Sequence, residues 1–172
     1  MLRTGEELFD VVDESDRVIR QAPRRLVHAN GWLHRAVHVL VFNKAGQLFL
    51  QKRSMTKDTS PGLWDSSSSG HLDAGEDYDQ AASRELAEEI GLKPKDPPKR
   101  WIRIEACEET GAEFVWVYRV VSEGPFILCP EEIERGEWID CQELARRIAG
   151  HPAEYCSSFR LIWARITRDG IL

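Results

Sequence analysis

Residues 70–92, GHLDAGEDYDQAASRELAEEIGL, pass from a glycine-bounded loop into the clearest helical segment of the chain. Good helix formers fill residues 77–91, Asp77 or Asp79 can cap the start, and Gly91 stands where a helix stops. Within this helix Glu85, Glu88 and Glu89 fall at i, i+3 and i+4, which places three carboxylates on one face. Leu86 and Ile90 share another face suited to a core, and Arg84 is expected to point away from the acidic row. Nothing basic lies between Glu85 and Gly91 to relieve the repulsion. A divalent cation would relieve it, and hard oxygen ligands favour Mg²⁺ or Mn²⁺ over zinc. No Cys/His set at zinc spacing competes. On these three glutamates alone, a solvated acidic face is an equal alternative.

Around this helix the chain alternates strands and helices. Leu8 to Asp13 and Arg17 to Gln21 flank a polar turn and read as a hairpin. Ala36 to Phe42 is short and rich in β-branched residues, as a buried strand is, and Gln47 to Lys52 returns after the turn at 43–46. A loop over 54–62 ends in Pro61-Gly62. Strands are expected at Trp101 to Cys107, Glu113 to Val121 and Glu137 to Ile139. Helices are expected from the cap Asp140 to about Ala149 and from Glu154 to Arg168. This pattern predicts an α/β fold, with a mixed central sheet between helices and an N-terminal β-hairpin.

Composition narrows the classes of partner. The 172 residues, 42% hydrophobic, suit one domain with a full core. A net charge of −6 and a pI near 5.4, with no basic stripe, argue against a nucleic-acid polymer. A small polyanion is compatible if a metal supplies positive charge. No apolar run approaches the roughly 20 residues of a membrane span, and residues 1–14 lack a signal-peptide core. Cys107, Cys129, Cys141 and Cys156 lie far apart and read as reduced thiols of a cytoplasmic protein.

The spacing reaches beyond the helix. Gly70, five residues, Glu76, seven residues, Arg84-Glu85-Leu86, one residue, Glu88-Glu89, one residue and Gly91-Leu92 fill every fixed position of the Nudix box. The chain therefore resembles the Nudix hydrolase (MutT-like) superfamily, and the order of strands around the box is similar to that family's α/β/α sandwich. The resemblance implies one domain over 1–172, with residues 1–30 as an extension, and a small-molecule diphosphate substrate cleaved by water attack on phosphorus. It implies that Glu85, Glu88 and Glu89, with the carbonyl of Gly70, hold Mg²⁺ or Mn²⁺, and that Glu76 and Arg84 brace the loop against the helix. It implies a base that is Glu88, Glu89 or a glutamate outside the box, with Glu113 as a candidate whose alternative is a solvated strand end. A homodimer is an open alternative.

His34-Arg35-Ala36, Lys52-Arg53, Lys57, the 61–64 segment PGLW and Gly70-His71 resemble a branch of the family that includes isopentenyl-diphosphate isomerases. That resemblance implies a metal site at His28, His34, His71 and Glu113, and contact of Arg53 and Lys57 with the substrate diphosphate. Taken alone, His28 and His38 read as ordinary satisfied polar residues, and Arg53 and Lys57 fit a solvated loop equally well. Two positions depart from the isomerases. Their acid, a cysteine, is Ser69 here, a far weaker acid than a thiol with its pKa of about 8.5. A second metal-binding glutamate of theirs is Gly111 here. With the box complete, these departures favour hydrolysis over isomerisation, and the intact glutamates weigh against a non-catalytic ligand sensor. Glu131, Glu132 and Glu134 read as solvated surface, with a loop that brings a glutamate to the site as the alternative, and Trp101, Phe126 and Trp138 read as core, with stacking on a base as the alternative.

Overall fold

The computed structural model describes residues 6–172. In chain order these are β1 (Leu8–Val12), β2 (Val18–Pro23), α1 (Arg24–Asn30), β3 (His34–Phe42), β4 (Leu48–Arg53), β5 (Trp64–Asp65) and β6 (Ser68–His71). They continue with α2 (Tyr78–Ile90), β7 (Lys99–Ile104), β8 (Glu113–Val121), β9 (Ile133–Ile139), α3 (Cys141–Gly150) and α4 (Ser157–Arg168). Seven strands form a mixed sheet ordered β5-β4-β3-β8-β7, with β6 paired to β3 and β9 to β4. The parallel pair β3–β8 runs in register from His34↔Glu113 to Phe42↔Val121. β3 is buried along nearly its whole length, which explains its continuous apolar run in place of an alternation.

Side chains alternate across the sheet and so define two cores. Leu40, Phe42, Val115 and Val117 pack with Leu144 of α3 and with Phe159, Ile162, Trp163 and Ile166 of α4. On the opposite face Val37, Val39, Val41, Phe49 and Val120 meet Ala81, Ala82, Leu86 and Ile90 of α2. The result is an α/β/α sandwich, as the sequence predicts. Asp77, not Asp79, caps α2. Its side chain accepts from the Gln80 N–H while Gln80 accepts from the Asp77 N–H, a full capping box, and Gly91 ends the helix at φ 67°.

β3 and β4 share the single register pair Phe42↔Leu48 and then part like a fork. Ser67 bridges the two prongs: its hydroxyl donates to the Phe49 carbonyl at 2.5 Å and accepts from the Val41 N–H at 2.8 Å. Ser66, Ser67 and Ser68 are fully buried. This region, to which the sequence reading assigns no element, contributes the short strands β5 and β6. β1, β2 and α1 form a separate unit with its own core of Phe9, Val11, Ala22 and Val27. It docks through the Ala74 N–H to the Leu8 carbonyl and the Gly75 N–H to Asp10.

Other differences from the sequence reading lie at the ends of elements. α1 is an additional helix, β9 begins at Ile133 and not Glu137, and β7 ends at Ile104. A single 3₁₀ turn over Pro152–Glu154 precedes α4, which begins at Ser157. None of the four cysteines is in a disulfide. No helix among the described residues is long and apolar enough to cross a membrane.

Candidate active site

A cavity of about 1160 Å³ opens where the N-terminal unit, β6, α2 and the 54–62 loop meet. Glu85, Glu88 and Glu89 all line it. Glu89 is 3% exposed, and the Glu88 side chain keeps about half its exposure. Burial raises the pKa of Glu85 and Glu89 above the usual carboxylate range, and the Glu89 charge adds to the rise at Glu85. Gly70, on β6, lies directly against Glu85: a Cβ added there would sit 2.2 Å from the Glu85 carboxyl carbon. Only glycine lets this stretch of backbone approach the carboxylate so closely. Buried carboxylates held against a bare backbone segment suit a hard divalent cation such as Mg²⁺ or Mn²⁺.

Arg84 does not point away from the acidic row. Its guanidinium donates to Glu85 at 2.6 Å and to Glu88 at 3.2 Å, and to Glu76 through Nε and Nη2 at 2.8 Å each. It also donates to the His71 carbonyl at 2.8 Å. The helical wheel places Arg84 by its Cα, whereas the long side chain folds along the surface and its fork reaches residues at i+1 and i+4.

On the other side of Gly70, β6 delivers His71 to a second group. One ligand atom from each of His28, His34, His71 and Glu113 lies within 4.8 Å of the others. His28 comes from α1, His34 from the start of β3, and Glu113 from the start of β8, opposite His34 in the register. His71 Nε2 donates to Glu113 at 2.9 Å. His34 Nδ1 donates to the Trp32 carbonyl at 2.8 Å, and this fixes the tautomer. Its Nε2 is buried without a hydrogen-bond partner and lies 3.5 Å from a Glu113 oxygen. A buried ring nitrogen without a partner beside a carboxylate is an arrangement that a cation fits. His28 Nε2 is likewise buried without a partner, so the reading of His28 as an ordinary satisfied histidine does not hold. Burial, with His71 and His34 alongside, pushes His28 down to about 4. Burial pushes Glu113 up, but His71 and His34 outweigh it and hold the carboxyl well below the usual range. Phe9 stacks on His71 with ring centroids 4.7 Å apart and walls off the cluster.

Arg53 and Lys57 also line the cavity. Arg53 donates to the Thr59 carbonyl at 3.0 Å and reaches Asp65 at 3.5 Å, while Lys57 pairs with Glu132. Glu132 is thus drawn into the cavity wall, which agrees with the alternative reading of 131–134, a loop that brings a glutamate to the site, over solvated surface. Ser69, Asp65 and His38 form the polar floor, with His38 Nδ1 2.8 Å from the Ser66 hydroxyl. Gly111 lines the rim at φ 72°. Sequence reasoning missed Asp65 and Gln51. The buried Gln51 donates to Glu89 at 3.3 Å, and between Phe49 and Arg53 on its face of β4 it carries no signal that marks it in the sequence.

The NUDIX domain model matches residues 32–159. The chain is 34% identical over 144 residues to a Nudix hydrolase of Yersinia pestis, covering 82% of this chain and 77% of that protein. It is 33% identical over 159 residues to an isopentenyl-diphosphate Delta-isomerase of Pectobacterium atrosepticum, covering 91% and 89%. Among solved structures, one from Deinococcus radiodurans superposes with a TM-score of 0.74 at 29% identity, covering 84% of this chain and 90% of that one. With the family match spanning most of the chain, and the sandwich and glutamate helix in place, the chain belongs to the Nudix family and is a Nudix hydrolase.

Proposed function

We propose that this protein is a divalent-metal-dependent hydrolase that cleaves the diphosphate linkage of nucleoside diphosphates or their derivatives by attack of water on phosphorus. The observation that carries this reading is the row Glu85, Glu88 and Glu89 on one cavity wall, with Gly70 against Glu85. Glu85, Glu88, Glu89 and the Gly70 carbonyl would hold Mg²⁺ or Mn²⁺. Once bound, the metal would neutralise the diphosphate oxygens and acidify water. Arg84 and Glu76 fix the loop and helix relative to each other. Arg53 and Lys57 orient the phosphates, Lys57 exchanging Glu132 for a phosphate oxygen. Glu88, Glu89 and Glu113 are the candidate bases, and Glu113 is the one held ionised by neighbouring histidines. The His28, His34, His71 and Glu113 group would hold a second cation. We also propose that residues 1–172 act as one Nudix domain, with 1–30 as an extension contributing His28, and that the protein works in the cytoplasm.

A second reading, allylic diphosphate isomerisation, is favoured by the histidine cluster and opposed by Ser69 at the acid position. A ³¹P NMR time course with Mg²⁺ in ¹⁸O-enriched water separates the two. The panel holds nucleoside diphosphates, nucleotide sugars, dinucleotides and isopentenyl diphosphate. New phosphate products carrying ¹⁸O are expected, and the labelled phosphorus identifies the site of attack. An intact diphosphate pool with isopentenyl diphosphate converted to its isomer overturns hydrolysis. Binding of these compounds without any turnover would establish a ligand sensor.

A further inference from the structure

Gln51 stands out as a buried amide with a specific target. On β4 it follows Phe49, which packs into the core beneath α2, and precedes Arg53, which lines the cavity. Its backbone is held on both sides, opposite Asp65 of β5 and Gly136 of β9, so the position of its Cα is fixed. The side chain is 1% exposed. Burying an amide in this setting is unfavourable unless its polar atoms are paired. Its Nε2 donates to Glu89 Oε2 at 3.3 Å, and the Ser69 N–H donates to the same oxygen at 2.9 Å. Two donors from two strands, β4 and β6, thus converge on one oxygen of a carboxylate that projects from α2.

We propose that Gln51 is a positioning residue: with the Ser69 N–H it clamps Oε2 of Glu89, sets the plane of the carboxyl group, and presents Oε1 to the catalytic cation. This rests on the reading of Glu89 as a metal ligand. A carboxylate held by two N–H groups loses rotational freedom before the cation arrives and is preorganised for it. Gln51 touches neither substrate nor cation, and its effect passes through Glu89.

The test compares Mn²⁺ binding, followed by the electron paramagnetic resonance of free Mn²⁺, in wild type, Gln51→Met, Gln51→Leu, Gln51→Asn and Glu89→Gln. Gln51→Met keeps the length and bulk of the side chain and removes the donor. We expect it, and Gln51→Leu, to raise the Kd for Mn²⁺ about tenfold, within the range for loss of a partner behind a metal ligand. At saturating metal, kcat should fall by a similar factor while KM for a hydrolysed diphosphate stays within about twofold, since the binding cations are untouched. Gln51→Asn keeps the amide but withdraws it by a methylene, and it should follow Met and not wild type. Circular dichroism establishes that each variant is folded, and the isosteric Met variant carries the test if Leu does not fold. Folded Met or Asn variants with wild-type Mn²⁺ affinity overturn the proposal. If Glu89→Gln also leaves Mn²⁺ binding unchanged, Glu89 is not a ligand, and the reading on which the proposal rests falls with it.

Discussion

At the level of single residues, the tightest constraint on the glutamate row is the contact between Gly70 and Glu85. A methyl group on Gly70 would occupy space 2.2 Å from the Glu85 carboxyl oxygen, so Gly70→Ala must displace that carboxylate. The backbone of Gly70 does not adopt a left-handed conformation, so the cost falls on the contact and not on φ. We expect Gly70→Ala to lower turnover by at least about tenfold through weakened metal binding. Mn²⁺ titration alongside kinetics checks this, and unchanged affinity would separate Glu85 from the metal. Glu88→Gln or Glu89→Gln keeps shape and removes charge, and either should lower kcat by about a hundredfold or more. Full activity in both variants would reject the assignment. These residues were legible because the box is a local pattern: loop, helix and carboxylate row lie within 23 consecutive residues. Gln51 and Asp65 were not legible. Gln51 meets Glu89 across 38 positions, and Arg53 meets Asp65 across a chain reversal that no periodicity records. The direction of Arg84 was misread for a related reason, since a wheel carries no information about where a flexible guanidinium ends.

Between elements, the fork between β3 and β4 depends on one hydroxyl. Ser67 satisfies the Phe49 carbonyl and the Val41 N–H where direct pairing of the two strands has ended. Ser67→Ala leaves both backbone groups without this partner in the interior, which should cost about 1–3 kcal/mol. For a domain of this size that corresponds to a fall in Tm of roughly 2–12 °C. Calorimetry checks it, and an unchanged Tm would mean that the prongs close by themselves. Strands and helices with strong internal signals matched the sequence reading: β3 and β8 by their β-branched runs, α2 by its caps, and α4 by Phe159, Ile162, Trp163 and Ile166 at helical spacing. The missed elements lack such signals. α1 follows Pro23 with no side-chain cap and buries only Val27. β6 is Ser-Ser-Gly-His, whose strand character comes from pairing with β3. The first half of β9, ahead of the strand expected from Glu137, carries Gly136 because the ring of Phe49 occupies the place of a side chain.

Across the whole molecule, the acidic balance of the chain is concentrated at the cavity. Its wall carries thirteen Asp and Glu residues against five Lys and Arg. All five cations are already engaged: Arg24 with Asp58, Arg25 with Glu6, Arg53 with Asp65, Lys57 with Glu132, and Arg84 with Glu76, Glu85 and Glu88. A diphosphate entering this field without metal meets net repulsion, so metal and ligand binding must be linked, each strengthening the other by the same factor. The N-terminal unit supplies His28 and Phe9 to one edge of the cavity while α2 supplies the glutamates to another. EDTA should therefore abolish turnover, and Mg²⁺ or Mn²⁺ should restore it. A non-hydrolysable diphosphate, methylenediphosphonate, gives the sharper measurement because its binding can be followed without chemistry. By calorimetry its Kd should weaken at least about tenfold when metal is withdrawn, a coupling of roughly 1.4 kcal/mol. Mn²⁺ affinity should rise by the same factor when the diphosphonate is present. Equal diphosphonate affinity in EDTA and in Mg²⁺ would mean that Arg53 and Lys57 hold the phosphates alone, and the glutamate row would lose its place in ligand binding.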